Sequence, residues 1–133
     1  MAITVVDAGV LIAVLDSSDI HHAAARDALG EASARGETLV LPAAAYAEVL
    51  VAPFRKNAES AAVVDSLIDA LPASVQPITR PIARTAARLR AQHGTRLRLP
   101  DALVVATALD LSAAKLLTTD RRWPELAVSI AAV

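Results

Sequence analysis

The chain contains no cysteine. Disulfides, cysteine-ligated zinc and thiol catalysis are therefore excluded, and the composition suits a reducing cytoplasm. Aromatic side chains are nearly missing: Phe54, Tyr46 and Trp123 are each the single member of their type. A platform that stacks successive bases, as single-strand-binding proteins use, has nothing to form from. Gly9, Gly30, Gly36 and Gly94 are the only glycines, too dispersed for either glycine-rich phosphate-binding pattern. Long apolar runs are lacking too. Mean hydropathy is high at +0.47, yet stretches such as 39–47 and 103–108 fall far short of a membrane span, which needs ~20 residues. No membrane association is expected. The opening MAITVVD has no basic stretch before its apolar run and is not expected to act as a signal peptide. A net charge of −1 argues against a protein that coats nucleic acid indiscriminately.

What is present is a chain of 133 residues rich in alanine, β-branched runs and leucine. That length suits one domain, 1–133, with a core large enough for helices on both faces of a sheet. The β-branched run Ile3–Val6 reads as a buried strand, and 38–41, 74–78, 115–118 and 127–131 as further strands, the last at an edge. Helices are predicted over 10–15, 19–35 with Asp19 as cap and Gly36 beyond its end, 42–52 before Pro53, and 57–71 with Asn57 as cap. Two more are predicted over 80–92 and 100–111, each with a proline in its first turn. Strands alternating with helices define an α/β class: a mostly parallel sheet of four to five strands between helical layers.

Ligands of an open parallel sheet sit beyond the carboxyl ends of its strands. Asp7 directly follows the first strand, Asp120 follows the strand at 115–118, and Asp101 lies in the first turn of a helix that would open onto the same rim. Glu48 stands mid-helix among apolar neighbours, where an ionised carboxylate is costly unless paired or bound to a cation. Each acid also has an ordinary structural use. Asp7 can cap the following helix, Asp101 can favour a helix N-terminus, Asp120 can form a turn, and Glu48 can face solvent. Together they form a set of like charges that cannot all ionise unaided. A hard divalent ion, Mg²⁺ or Mn²⁺, would relieve that repulsion through oxygen ligands alone.

Four stretches carry a resemblance: VVDAGVLIA at 5–13, AEVL at 47–50, LPDALVVATA at 99–108 and LLTTDRRW at 116–123. In order and spacing the chain resembles the PIN-domain ribonucleases, and within them the VapC toxins of VapBC toxin–antitoxin pairs. The resemblance implies a three-layer PIN-like fold with Asp7, Glu48, Asp101 and Asp120 as the acidic metal site. It implies a magnesium-dependent endoribonuclease that hydrolyses RNA phosphodiesters by metal-activated water. It also implies a homodimer and a cognate VapB-like antitoxin as partner. Thr118 or Thr119 matches the family's polar position near the last Asp. Ala8 and Gly9 depart from it: members often carry Ser or Thr there.

Between Asp69 and Asp101 there is no acid, but Arg80, Arg84, Arg88, Arg90, Arg96 and Arg98 all occur. With Arg121 and Arg122 they are candidates to guide an RNA backbone past an acidic site. His21, His22 and His93 are assigned surface, packing or helix-end roles, because adjacent histidines on a helix point in different directions. A receiver-type phosphoacceptor would need a second acid beside Asp7, and a haloacid-type phosphatase an acid where Gly9 stands. The remaining alternative is a PIN-like module that binds RNA or protein without cleaving it.

Overall fold

The computed structural model describes residues 2–133. The strands are β1 (Ile3–Val6), β2 (Thr38–Pro42), β3 (Ala73–Gln76), β4 (Lys115–Thr118) and β5 (Ile130–Ala132). The helices are α1 (Ala8–Leu15), α2 (His22–Ala34), α3 (Ala43–Lys56), α4 (Ala58–Asp69), α5 (Arg80–His93) and α6 (Leu99–Asp110). A 3₁₀ turn, Gly94–Arg96, links the last two.

Every strand pairing is parallel, in the order β3-β2-β1-β4-β5. The central strand β1 is almost wholly apolar because both its faces are covered, and its one polar side chain, Thr4, is buried and donates to Glu37 at 2.7 Å. Val6, Leu39 and Leu117 face one side, where α1 and α2 bring Val10, Ala13, Ala25 and Ala32. Val5, Val40 and Leu116 face the other, against Ala45 and Val49 of α3, Ile82 and Ala86 of α5, and Val104 and Val105 of α6. This alternation across the pleat makes three layers. Helix α6 is the most enclosed, with Ala102 and every residue from Val104 to Ala108 buried. The chain leaves β1 toward β3, then returns to the other side of β1 as β4. The strand order thus reverses between β1 and β4, and the crevice at such a reversal is where parallel sheets take ligands.

Several boundaries differ from those read in the sequence. Helix α3 runs on through Pro53 to Lys56. Proline there lacks an N–H, but its own carbonyl still accepts the Asn57 N–H at 3.1 Å, so the last turn closes. Helix α1 starts two residues earlier than expected, because Asp7 itself is its N-cap. Asp19 does not cap α2 directly. Its Oδ1 accepts the His21 N–H and tightens the turn before the helix. Strand β3 starts at Ala73 and stops short of Pro77, which has no N–H for a ladder. Gly36, just past α2, has φ +74° and supplies the left-handed residue that ends a helix. Among the described residues no helix is long and apolar enough to cross a membrane.

Candidate active site

Asp7 follows β1 directly, and its N–H donates to the Leu117 carbonyl at 2.9 Å, continuing the ladder to β4. The residue is only 7% exposed. Both carboxylate oxygens are held. Oδ1 accepts the Ala8 N–H at 2.8 Å as the cap of α1, and Oδ2 accepts the Thr118 hydroxyl at 2.8 Å. The Thr118 Oγ1 in turn accepts the Asp120 N–H at 3.0 Å, so one buried hydroxyl links the two acids. Capping and site-building therefore coincide at Asp7. Burial raises its pKa above the ordinary 3.8. The two hydrogen bonds oppose that rise, and the charges of Asp101 and Asp120 add to it.

Asp101 enters from the first turn of α6, half-buried. Burial raises its pKa, Asp120 raises it further, and the Trp123 N–H, Arg98 and Arg122 pull the other way. Glu48 lies on the open side of α3 rather than enclosed among its apolar neighbours. The helix turns it away from the core that holds Ala45 and Val49. It still feels the site, since partial burial, then Asp7, then Asp101 raise its pKa. Asp120 accepts the Arg122 N–H at 2.7 Å, and the Arg122 guanidinium stands 3.5 Å from its carboxylate. That ion pair leaves Arg122 91% exposed, and an exposed pair contributes little and parts readily.

Acids from β1, α3, α6 and the segment after β4 are thus brought to one rim. Among the described residues, no three acidic or histidine side chains are close enough together to share one ion. The donors nonetheless suit Mg²⁺, which takes one or two carboxylates directly and keeps several waters.

Three open grooves share Asp120, and two of them carry more than one arginine. One, of about 530 Å³, is lined by Arg96, Arg98, Asp101, Asp120, Arg122 and Trp123. The other, of about 400 Å³, is lined by His21, Thr119, Asp120, Arg121 and Arg122. His21 was assigned to surface or packing from the sequence. It reaches this rim because the turn between α1 and α2 folds back on α1, where the neighbouring His22 Nδ1 lies 2.7 Å from the Ala13 carbonyl. No local spacing signals that placement. The arginine-rich segment divides. Arg96 and Arg98 line the first groove, and Arg80, Arg84 and Arg88 lie on the exposed face of α5. Arg90 hydrogen-bonds the Gly94 and Leu97 carbonyls and closes the end of α5.

The family model of the PIN domain matches residues 4–129. The chain belongs to the PIN-domain family. No curated protein matches it closely enough to count as a relative. Solved structures share its fold at low identity. A promoter-DNA-bound VapBC complex from Rickettsia felis aligns with TM-score 0.75 and 16% identity, covering 96% of this chain and 98% of that one. A DNA-bound VapBC complex from Salmonella typhimurium also gives 0.75 and 16%, covering 98% of each chain. A VapC toxin from Mycobacterium tuberculosis, described as cleaving the sarcin–ricin loop, gives 0.68 and 15%, covering 85% of this chain and 86% of that one.

In this PIN domain, Thr119 crowds any side chain placed at Gly9, the second position after Asp7. A Cβ there would stand 2.3 Å from the Thr119 Oγ1 and 3.5 Å from the Thr119 Cβ. Gly9→Ala is expected to cost about 1–3 kcal/mol, the usual range for an overpacked site. Truncating the obstacle in Gly9→Ala/Thr119→Ala should restore most of that, because the remaining Cβ contact is ordinary. Urea unfolding of the two variants measures it; equal loss in both would show that the crowding lies elsewhere.

Proposed function

We propose that this PIN domain is a divalent-metal-dependent endoribonuclease and the toxin of a VapBC-type pair. The observation that carries the reading is the convergence of Asp7, Glu48, Asp101 and Asp120 on the reversal between β1 and β4, where burial and their neighbours' charges raise the pKa of Asp7, Glu48 and Asp101. Asp7 and Asp101, with Asp120, would hold one or two Mg²⁺ ions, one or two carboxylates binding directly and the others, Glu48 among them, through water. When bound, the ion supplies Lewis acidity, a more acidic water and neutralisation of phosphodiester charge. The chain's own residues supply the rest. Thr118 and the Ala8 N–H fix Asp7 in one orientation. Arg96, Arg98 and Arg122 on one side, and Arg121 with His21 on the other, offer donors to phosphates flanking the scissile one. An RNA strand passing from one groove to the other crosses the carboxylates at Asp120.

The direct test is cleavage of a labelled RNA carrying structured loops, in Mg²⁺ and after chelation with EDTA. Cleavage in Mg²⁺ alone supports the nuclease. RNA binding that persists in EDTA, with no cleavage under Mg²⁺ or Mn²⁺, identifies a binding module instead.

As a VapC-type toxin the chain would pair with itself and with an antitoxin. Helix α3 carries an open apolar patch, with Phe54 61% and Val51 44% exposed beside Leu50 and Tyr46. Covering such a patch is the ordinary driving force for a homodimer. Phe54→Glu is expected to convert dimer to monomer at micromolar concentration without loss of helicity, as read by light scattering and circular dichroism. A wild-type chain that scatters as a monomer would exclude this interface. Beside β3, Leu29, Leu39, Leu41, Leu71 and Val75 line an apolar crevice of about 210 Å³ suited to apolar side chains of an antitoxin segment.

A further inference from the structure

The single tryptophan carries the one buried side-chain polar atom without a hydrogen-bond partner among the described residues, its Nε1. Indole N–H groups usually find an acceptor when buried, and leaving one unmet costs about 1–3 kcal/mol. The ring is held in place. It packs against the main core cluster, and buried Pro124 follows it directly. The residue lines the groove that contains Asp101 and Asp120. The N–H lies near enough to the Asp101 carboxylate to favour its charge, yet outside hydrogen-bond geometry. Arg98 and Arg122 favour that charge too, but both are exposed side chains, whereas the indole donor is buried.

We propose that Trp123 is a positioning residue: its indole N–H takes one oxygen of Asp101 when a divalent cation binds and turns the other oxygen toward the ion. The proposal rests on the metal-site reading above. A carboxylate has two oxygens and several lone pairs, so a fixed donor on one side selects which oxygen remains for the cation. Metal-ligating side chains are commonly oriented in this way by an outer hydrogen bond. The fixed indole thereby limits the orientations of a carboxylate that the charge of Asp120 would otherwise push aside.

With one tryptophan, ¹⁵N-labelled protein gives one indole cross-peak, which can be followed without any variant. Mg²⁺ is expected to move the indole proton downfield and slow its exchange with solvent, in step with the amides of Asp7 and Asp120. Asp101→Asn should remove the indole response. Trp123→Phe, which keeps the ring's bulk, should raise the Mg²⁺ dissociation constant about 10-fold, the lower end for losing an outer-shell partner. An indole peak that stays still while the Asp7 and Asp120 amides titrate overturns the proposal and leaves the metal site standing. Unchanged Mg²⁺ affinity in a folded Trp123→Phe also overturns it. If no amide responds to Mg²⁺ at all, the metal-site reading has failed and the positioning role falls with it.

Discussion

Replacing Asp7 by Asn is expected to lower Mg²⁺-dependent RNA cleavage about 1000-fold while leaving the protein folded. That factor corresponds to about 4 kcal/mol of transition-state stabilisation, a reasonable share for a ligand of a catalytic ion. The substitution keeps the shape of the side chain, and the amide oxygen can still accept the Ala8 N–H that caps α1. It removes the charge. It also puts an NH₂ group opposite the Thr118 hydroxyl, which already accepts the Asp120 N–H and must then send its proton elsewhere. The loss should appear in the rate at saturating RNA, with binding in EDTA little changed, because Asp7 is buried and lines none of the three grooves. Near-normal cleavage by a folded Asp7→Asn protein would remove the carboxylate mechanism.

The second large effect is on acidification. Asp7, Glu48 and Asp101 all have pKa values raised above the ordinary 3.8 or 4.5, chiefly by burial and then, for each, by neighbouring acids. Metal ligands must be deprotonated, so protons compete with the ion. Cleavage should begin to fall at a higher pH than ordinary carboxylates would dictate, by about tenfold per pH unit for each carboxyl that must ionise. More Mg²⁺ should shift the midpoint to lower pH. A profile insensitive to Mg²⁺ concentration would show that the titrating groups are not the ion's ligands.

Stability of the metal-free protein should respond with the opposite sign. A carboxyl whose pKa is higher folded than unfolded binds its proton more tightly in the folded state. Its contribution is unfavourable above the folded value and is relieved as pH falls through that value. Glu37 and Asp16 work the other way, because Thr4 and Ser18 hydrogen-bond their charged forms and hold them below the usual range. The clean comparison is therefore with Asp101→Asn, which lacks one of the raised carboxyls. Without metal the variant should melt a few degrees above the wild type at pH 7.5, and the gap should close on acidification. A wild type that melts higher at pH 7.5 would mean Asp101 carries no charge strain.

Local chemistry made much of this molecule readable. A β-branched run ending in an acid marks β1 and Asp7, and the same logic gives β4 and Asp120. Proline in the first turn marks α5 and α6. The parallel class follows from strands alternating with helices, and the all-parallel sheet agrees. These features were legible because a run of three or four residues determines each of them. Legibility failed where packing between distant segments decides. Pro53 did not stop α3, since a helix can lose one hydrogen bond when its apolar face is already buried. Glu48 looked enclosed by its sequence neighbours, but the helix turns it to the open side. Arg90 looked like a companion of Arg96 and Arg98, yet it is engaged with the carbonyls at the end of its own helix.

The sequence by itself determined the α/β alternation, the places of Asp7, Asp101 and Asp120 at element ends and of Glu48 mid-helix, and the PIN-domain resemblance that residues 4–129 bear out. Those are properties of composition and near spacing, and they survive whatever the rest of the chain does. Only the tertiary structure decided that Thr118 bridges Asp7 to Asp120, that His21 shares a groove with Arg121, and that Trp123, with its unmet N–H, shares one with Asp101. Each of these depends on where a side chain from one element comes to rest against another. That is set by the packing of the whole core, and no short stretch of sequence encodes it.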